Sequence, residues 1–165
     1  QDDFTLAVAT ADRGPMHIEA RYNYEAIDSG SLFAGWKFSG GEKLTWEVIP
    51  ILGAVFGQKE GIAPGFEASL GYGIVDFYTE TEYVRDLEVR QDSFTYSWNE
   101  LGISPLEWLR FGLVGQRTMV YQSERDIQRG FFAEVTFRRI TLAAYVFNPD
   151  DSDNRFMVFS LGAEL

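Results

Sequence analysis

The strongest constraint on the fold is one run of eleven residues, Met16 to Ala26 (MHIEARYNYEA). In it Met16, Ile18, Ala20, Tyr22, Tyr24 and Ala26 alternate without a break with His17, Glu19, Arg21, Asn23 and Glu25. Successive side chains of a strand point to opposite faces. Period two therefore predicts a strand with one apolar face and one face carrying a histidine, charges of both signs and an amide. At about 3.3 Å per residue and a tilt of roughly 45°, such a strand just crosses a hydrocarbon layer ~30 Å thick.

The rest of the chain repeats the design. Residues 4 to 10 alternate weakly and end at the Gly14-Pro15 turn, so 1–15 is either an N-terminal segment or a short extra strand. Leu32, Ala34, Trp36 and Phe38 oppose Gly35 and Lys37, and Leu44, Trp46, Val48, Leu52, Ala54 and Phe56 oppose Lys43, Thr45 and Glu47. Pro50 lies inside that second run and cannot donate to a ladder, which predicts a bulge or local break. Phe66, Ala68, Leu70 and Tyr72 oppose Glu67 and Ser69, and Asp76, Tyr78, Glu80 and Glu82 share one face. Phe94, Tyr96 and Trp98 alternate with Thr95, Ser97 and Asn99, and a slip at Glu100-Leu101 predicts a bulge.

Ser104-Pro105-Leu106-Glu107 has the form of a capped helix start. The alternation of Leu109, Phe111 and Leu113 with Arg110, Gly112 and Val114 favours instead a strand from about 107 to 122. Ser123 to Arg129 is polar, FFAEVTF and ITLAAYVF meet at Arg138-Arg139 with almost no turn, and 148–154 is an acidic loop. The last strand carries Met157, Phe159, Leu161, Ala163 and Leu165 on one face. Counting from residue 16 gives ten strands, with eight or twelve as alternatives, joined alternately by tight turns and longer loops. This predicts a closed antiparallel up-and-down β-barrel forming a single domain over residues 1–165.

Volume decides which face is outside. Ten strands present roughly fifty apolar side chains, and a packed barrel interior holds on the order of a dozen. With fourteen Phe, eight Tyr and four Trp among them, the apolar face is the outer one, and the barrel is a transmembrane one. No apolar run reaches the length of about 18 residues that a membrane helix needs. The net charge of −11, with no basic cluster, argues against nucleic acid as a partner. The absence of cysteine suits an exported protein that folds without disulfides. Gln1-Asp2-Asp3 reads as a mature end left by removal of a signal peptide.

In strand plan, alternating loop lengths, aromatic flanks and a terminal strand, the chain resembles the small bacterial outer-membrane β-barrel proteins. The resemblance implies residence in the outer membrane of a Gram-negative bacterium. Its implied partners are lipopolysaccharide, phospholipid and, during biogenesis, the outer-membrane assembly machinery. Members of that class commonly end in an aromatic residue, whereas this chain ends in Leu165.

The polar face gathers Glu19, Arg21, Lys37, Glu47, Glu67, Glu80, Glu82, Arg110, Glu134 and Arg138. These residues are expected to form a lumen-facing network of ion pairs that largely plugs a narrow interior. The sharper alternative is a small acidic channel favouring cations. The function expected is that of a structural membrane protein or narrow, porin-like passive pore, with an outer-leaflet lipid-modifying enzyme or a loop-mediated binding module as alternatives.

Barrel enzymes such as lipid A deacylases, a palmitoyltransferase, a phospholipase and surface proteases resemble the chain in architecture. They place a histidine beside a serine or aspartate. The single histidine, His17, has no serine in its local sequence, so no catalytic residue, metal or cofactor is assigned. Glu80 and Glu82 as a paired-carboxylate site, and Asp150, Asp151 and Asp153 as a loop that binds divalent cations, are weaker readings than ion pairing and a solvated loop tip.

Overall fold

Through most of the described residues, alternation becomes strand. The computed structural model describes residues 5–120 and 126–164. The expectations for 121–125 and for Leu165 lie outside the described residues. Among the described residues there are twelve strands: β1 (Ala7–Arg13), β2 (Met16–Tyr22), β3 (Ser29–Trp36), β4 (Phe38–Gly40), β5 (Leu44–Gly57), β6 (Gly61–Tyr72), β7 (Val75–Asp86), β8 (Phe94–Leu106), β9 (Leu109–Val120), β10 (Asp126–Phe137), β11 (Ile140–Phe147) and β12 (Phe156–Ala163). All pairs are antiparallel and follow chain order in one sheet, with β4 pairing β5 beyond the end of β3.

The ten-stranded closed barrel needs correction on two counts. Residues 7–13 are a strand, pairing with β2 from Ala7↔Tyr22 to Arg13↔Met16. The second expected strand is split in two at Lys37. The sheet is also not closed, since β1 and β12 are its unpaired edges among the described residues. The split has a local cause. β3 leaves β5 after Gly35↔Ile51 and β4 rejoins it at Phe38↔Val48, so the gap faces Pro50, which has no N–H to offer. The Lys37 N–H turns the other way, to the Pro15 carbonyl at 2.7 Å. The expected break thus falls on the strand opposite the proline, while Pro50 stays in register with Phe66 of β6.

Two-residue turns join β1–β2, β6–β7, β8–β9 and β10–β11 at one end of the sheet, with the three-residue β4–β5 turn, and the longer β2–β3, β7–β8 and β11–β12 connections lie at the other. The organising strand stops at Tyr22 instead of Ala26, because Asn23 takes a left-handed conformation (φ 59°) and its side chain accepts from the Asp28 N–H at 2.7 Å.

The sheet curls strongly enough for the inner face of β2 to meet those of β6 and β7, as the contacts of Arg21 below require. Inside, Phe33, Ile49, Ile51, Val55, Ala63 and Val84 make one apolar cluster. Val114, Phe132, Ala143, Tyr145 and Phe147 make a second, with Trp98 edge-on to Tyr145 and Phe147 at 5.3 and 5.5 Å. Outside, Trp36, Leu52, Phe66, Leu113, Phe131 and Phe159 stand exposed, on the faces that alternation assigned to the exterior.

The expected bulge at Glu100-Leu101 is absent. β8 pairs with β7 without a shift from Val84↔Phe94 to Val75↔Ile103, and the irregularity lies between Ile103 and Leu106 against β9. Phe94, Tyr96 and Trp98 point inward together with Glu100, so period two never slips. The Ser104 stretch is strand, its N–H bonded to the Ile74 carbonyl at 2.7 Å.

Candidate functional site

The inward positions of β2 are 17, 19 and 21, and all three side chains are buried. Arg21 has no exposed side-chain surface. Its Nη2 donates to Glu19 at 2.8 Å, and its Nη1 lies 2.8 Å from Glu80, 3.2 Å from Glu82 and 3.5 Å from Glu25. Glu67 is 4.0 Å from Nη2. The Glu80 oxygen nearest Nη1 makes no directed hydrogen bond, so that contact is electrostatic. The guanidinium is held between the rings of Tyr24 and Phe33, 4.4 and 4.3 Å from their centroids. The turn at Asn23 swings Tyr24 to the interior, where its hydroxyl donates to Glu80 at 3.0 Å. Gly53 makes room for the Phe33 ring, which a Cβ there would strike. One guanidinium thus faces five buried or nearly buried carboxylates.

His17 completes this half. Its Nδ1 bonds the Asp12 carboxylate at 2.7 Å. Its Nε2 is buried without a hydrogen-bond partner, 3.9 Å from both Glu19 Oε2 and Glu67 Oε1.

The second half is built on Arg110. Its Nε and Nη2 donate to Asp76 at 3.0 and 2.6 Å, and its Nη1 donates to Glu100 at 2.6 Å. Glu134 is 3.7 Å away, and Phe132 lies under the guanidinium at 4.6 Å. Glu100 also accepts from Trp98 Nε1 at 2.9 Å and the Tyr145 hydroxyl at 3.1 Å. Gly102 makes this packing possible, because a Cβ there would stand 2.7 Å from both Arg110 Nε and Asp76 Oδ2.

Of the ten residues expected in the lumen, Glu19, Arg21, Glu67, Glu80 and Glu82 meet in the first cluster, and Arg110 and Glu134 in the second. Lys37 and Glu47 are 3.7 Å apart near the tight-turn end, where Lys37 also donates to Asp12 at 2.7 Å. Arg138 requires correction. It occupies the two-residue turn after β10 with φ 58°, exposed, its guanidinium over the Phe137 ring at 5.4 Å. A turn residue belongs to neither face, and alternation cannot place it.

Sequence reasoning missed Glu100, because aromatic residues were expected to face outward and the phase of β8 was read the wrong way round. It also missed the pairing of His17 with Asp12, since Asp12 lies on the strand read as a segment of undecided structure.

The exterior holds two further features. Thr79, Thr81, Ser97 and Asn99 form a polar strip on the outward side of β7 and β8, bonded among themselves at 2.9–3.2 Å. Beside it a groove of about 640 Å³ is lined by Leu101, Leu113, Gly115 and Phe131, with the Arg129–Asp150 ion pair (2.8 Å) at its loop end. In the acidic loop, Asp151 accepts from Asn154 Nδ2 at 2.8 Å and from the Asp153 N–H at 3.1 Å, which hold its carboxyl below the usual range. These loop carboxylates are engaged within the loop and with Arg129. The chain matches no protein-family model, no curated protein and no solved structure.

Proposed function

We propose that the chain is a bacterial outer-membrane β-barrel, its curled sheet closed in the bilayer around a charge-plugged interior. In this reading it serves as a structural membrane protein or narrow passive pore in contact with lipopolysaccharide and phospholipid. What carries the reading is inversion. Large apolar residues are exposed on the outward face from β1 to β12, while His17, Glu19, Arg21, Glu80, Glu82 and Glu100 are buried. A monomeric soluble protein seldom exposes an apolar patch beyond about 300–600 Å². The interior of Arg21, Phe33, Glu82, Val84 and Phe147, each at most 4% exposed, favours a plug over a water-filled channel.

The experiment is refolding into lipid followed by planar-bilayer recording. Partition into vesicles with only small, infrequent conductance steps is the expected result. Solubility without detergent would overturn the membrane reading, and a large cation-selective conductance would replace the plug with a channel. The outer groove favours a second reading, a binding site for one lipid acyl chain against Leu101, Leu113 and Phe131 with its headgroup near Arg129. Mass spectrometry of gently solubilised protein, with Gly115→Phe as the blocking variant, tests it.

A further inference from the structure

We propose that His17, Glu19 and Glu67 bind one divalent transition-metal ion of the zinc class, with Asp12 orienting the imidazole from behind. The three ligand atoms lie within 4.8 Å of one another, and the residues are buried or nearly so.

Four observations converge on the site. An aspartate accepts hydrogen bonds, so the 2.7 Å contact places a proton on His17 Nδ1, and in the neutral imidazole the Nε2 lone pair then faces the cluster. That nitrogen is buried, has no partner, and looks at two carboxylate oxygens 3.9 Å away, too far for a hydrogen bond. Glu19 Oε2 already accepts from Arg21 Nη2 at 2.8 Å, and that guanidinium stands 4.0 Å from Glu67 Oε1, so what a further cation would satisfy is the unpartnered Nε2 and the remaining carboxylate charge. Metal–ligand bonds of about 2.0–2.2 Å put neighbouring ligands about 3.2–3.6 Å apart, so the two 3.9 Å separations need to shorten by a few tenths of an ångström and the carboxylate oxygens, within 4.8 Å of each other, by up to about 1.5 Å.

The second observation is the Asp12–His17 pair itself. A carboxylate behind a ligating imidazole fixes its tautomer and raises its basicity, which is the usual outer shell of a metal-bound histidine. The third is charge. Arg21 already meets Glu19, Glu80 and Glu82, and among the described residues Glu67 has within ion-pair distance only Arg21 at 4.0 Å and the imidazole. A divalent ion with a neutral imidazole and two carboxylates is electrically neutral, whereas the same group without it is not.

The fourth is access. Of the three ligands, the Glu67 side chain keeps the most exposed surface, 14%, so the cluster is not sealed on the β6 side. One nitrogen and two carboxylate oxygens suit Zn²⁺, Co²⁺ or Mn²⁺ better than Ca²⁺ or Mg²⁺. Three protein ligands also leave a coordination position for water. The ion would tie β2 to β6 across the interior.

The test uses the full chain refolded in detergent micelles, labelled with ¹⁵N in histidine. His17 is the only histidine, so one pair of imidazole signals reports the site. With one equivalent of Zn²⁺ the Nε2 resonance should move to the metal-bound position while Nδ1 stays protonated, and Co²⁺ should give visible ligand-field bands at the same stoichiometry. His17→Gln and Glu67→Gln should abolish the bands. Asp12→Asn should weaken binding by about 10- to 100-fold, and Glu42→Gln, in an exposed turn, should leave it unchanged. An imidazole signal unmoved by excess Zn²⁺ in the wild type overturns the proposal without reference to any variant. Co²⁺ bands that survive in folded His17→Gln overturn it equally.

Discussion

Replacing Arg21 by Met keeps much of the side-chain volume and removes the only guanidinium within reach of Glu25, Glu67, Glu80 and Glu82 among the described residues. The Arg21 side chain is fully buried, so water cannot replace the lost partner. Breaking a buried pair by deleting one member costs about 3–5 kcal/mol, roughly a 10²- to 10⁴-fold shift toward the unfolded state. The two aromatic faces lose a desolvated cation as well, so the upper end of that range is expected. Arg110 supplies the internal comparison. Its side chain is 18% exposed, water can partly fill the place of its guanidinium, and Arg110→Met should cost less, about 1.5–3 kcal/mol. The assay is urea unfolding in lipid vesicles followed by tryptophan fluorescence, with slopes compared so that midpoints convert to free energies. Adding Glu82→Gln to Arg21→Met should recover part of the loss, because one fewer carboxylate is left uncompensated. Arg21→Met within about 1 kcal/mol of wild type, or less damaging than Arg110→Met, refutes the reasoning.

On the outward face, Leu70→Arg or Val135→Arg should cost about 2–4 kcal/mol in a bilayer, and the same vesicle unfolding shows it; a neutral result speaks against lipid there. Arg138→Ala should stay within about 0.5 kcal/mol of wild type, because the side chain sits in an exposed turn. Gly112→Ala should prevent normal folding, since a Cβ there meets the Leu101 carbonyl oxygen; heat-modifiability on gels reads it. In the 148–155 loop, Asp151 should titrate below the usual aspartate range by carboxyl NMR. A depressed native pKa means that its contribution is present above the unfolded pKa and lost only as the pH falls through the native value. Asn154→Ala should move the titration up, part of the way to the usual range, because the Asp153 N–H still holds the carboxylate.

How much was legible follows from what alternation can carry. It places a residue on a face but does not say which residues across the interior will touch. Glu19 and Arg21 were correctly assigned inward, yet their meeting with Glu67, Glu80 and Glu82 depends on the curl of the sheet, which no local pattern encodes. The phase of β8 was misread because Phe94, Tyr96 and Trp98 look like exterior residues by composition. Their neighbours Leu101 and Ile103, on the opposite parity, carried the right answer. Tyr24 was assigned outward because its alternation is faultless, and one left-handed residue, Asn23, reverses it. The proline rule located a break in the ladder at Pro50, because it concerns a missing donor, but put it on the wrong strand: β5 runs on through Pro50 and the facing line divides into β3 and β4.

The open edges carry a consequence of direction. With β3 and β4 taken as one line, the sheet has eleven rows of alternating sense, so β1 and β12 run the same way, toward the tight-turn end. Inside a bilayer an unpaired edge is costly, because each unsatisfied backbone group forfeits several kcal/mol. Two seams can remove it. Either β1 and β12 join in parallel, or β12 displaces β1 and zips antiparallel onto β2, completing ten rows and expelling residues 7–13. In the proposed closed barrel, the two terminal strands would therefore be rivals for one edge. Cysteines at Ala9 and Ala20, opposite each other in the register, would tether β1 in place. The chain has no other cysteine to confuse the crosslink. If the chain inserts into lipid only when that tether is reduced, the first strand is a temporary occupant that the last one replaces.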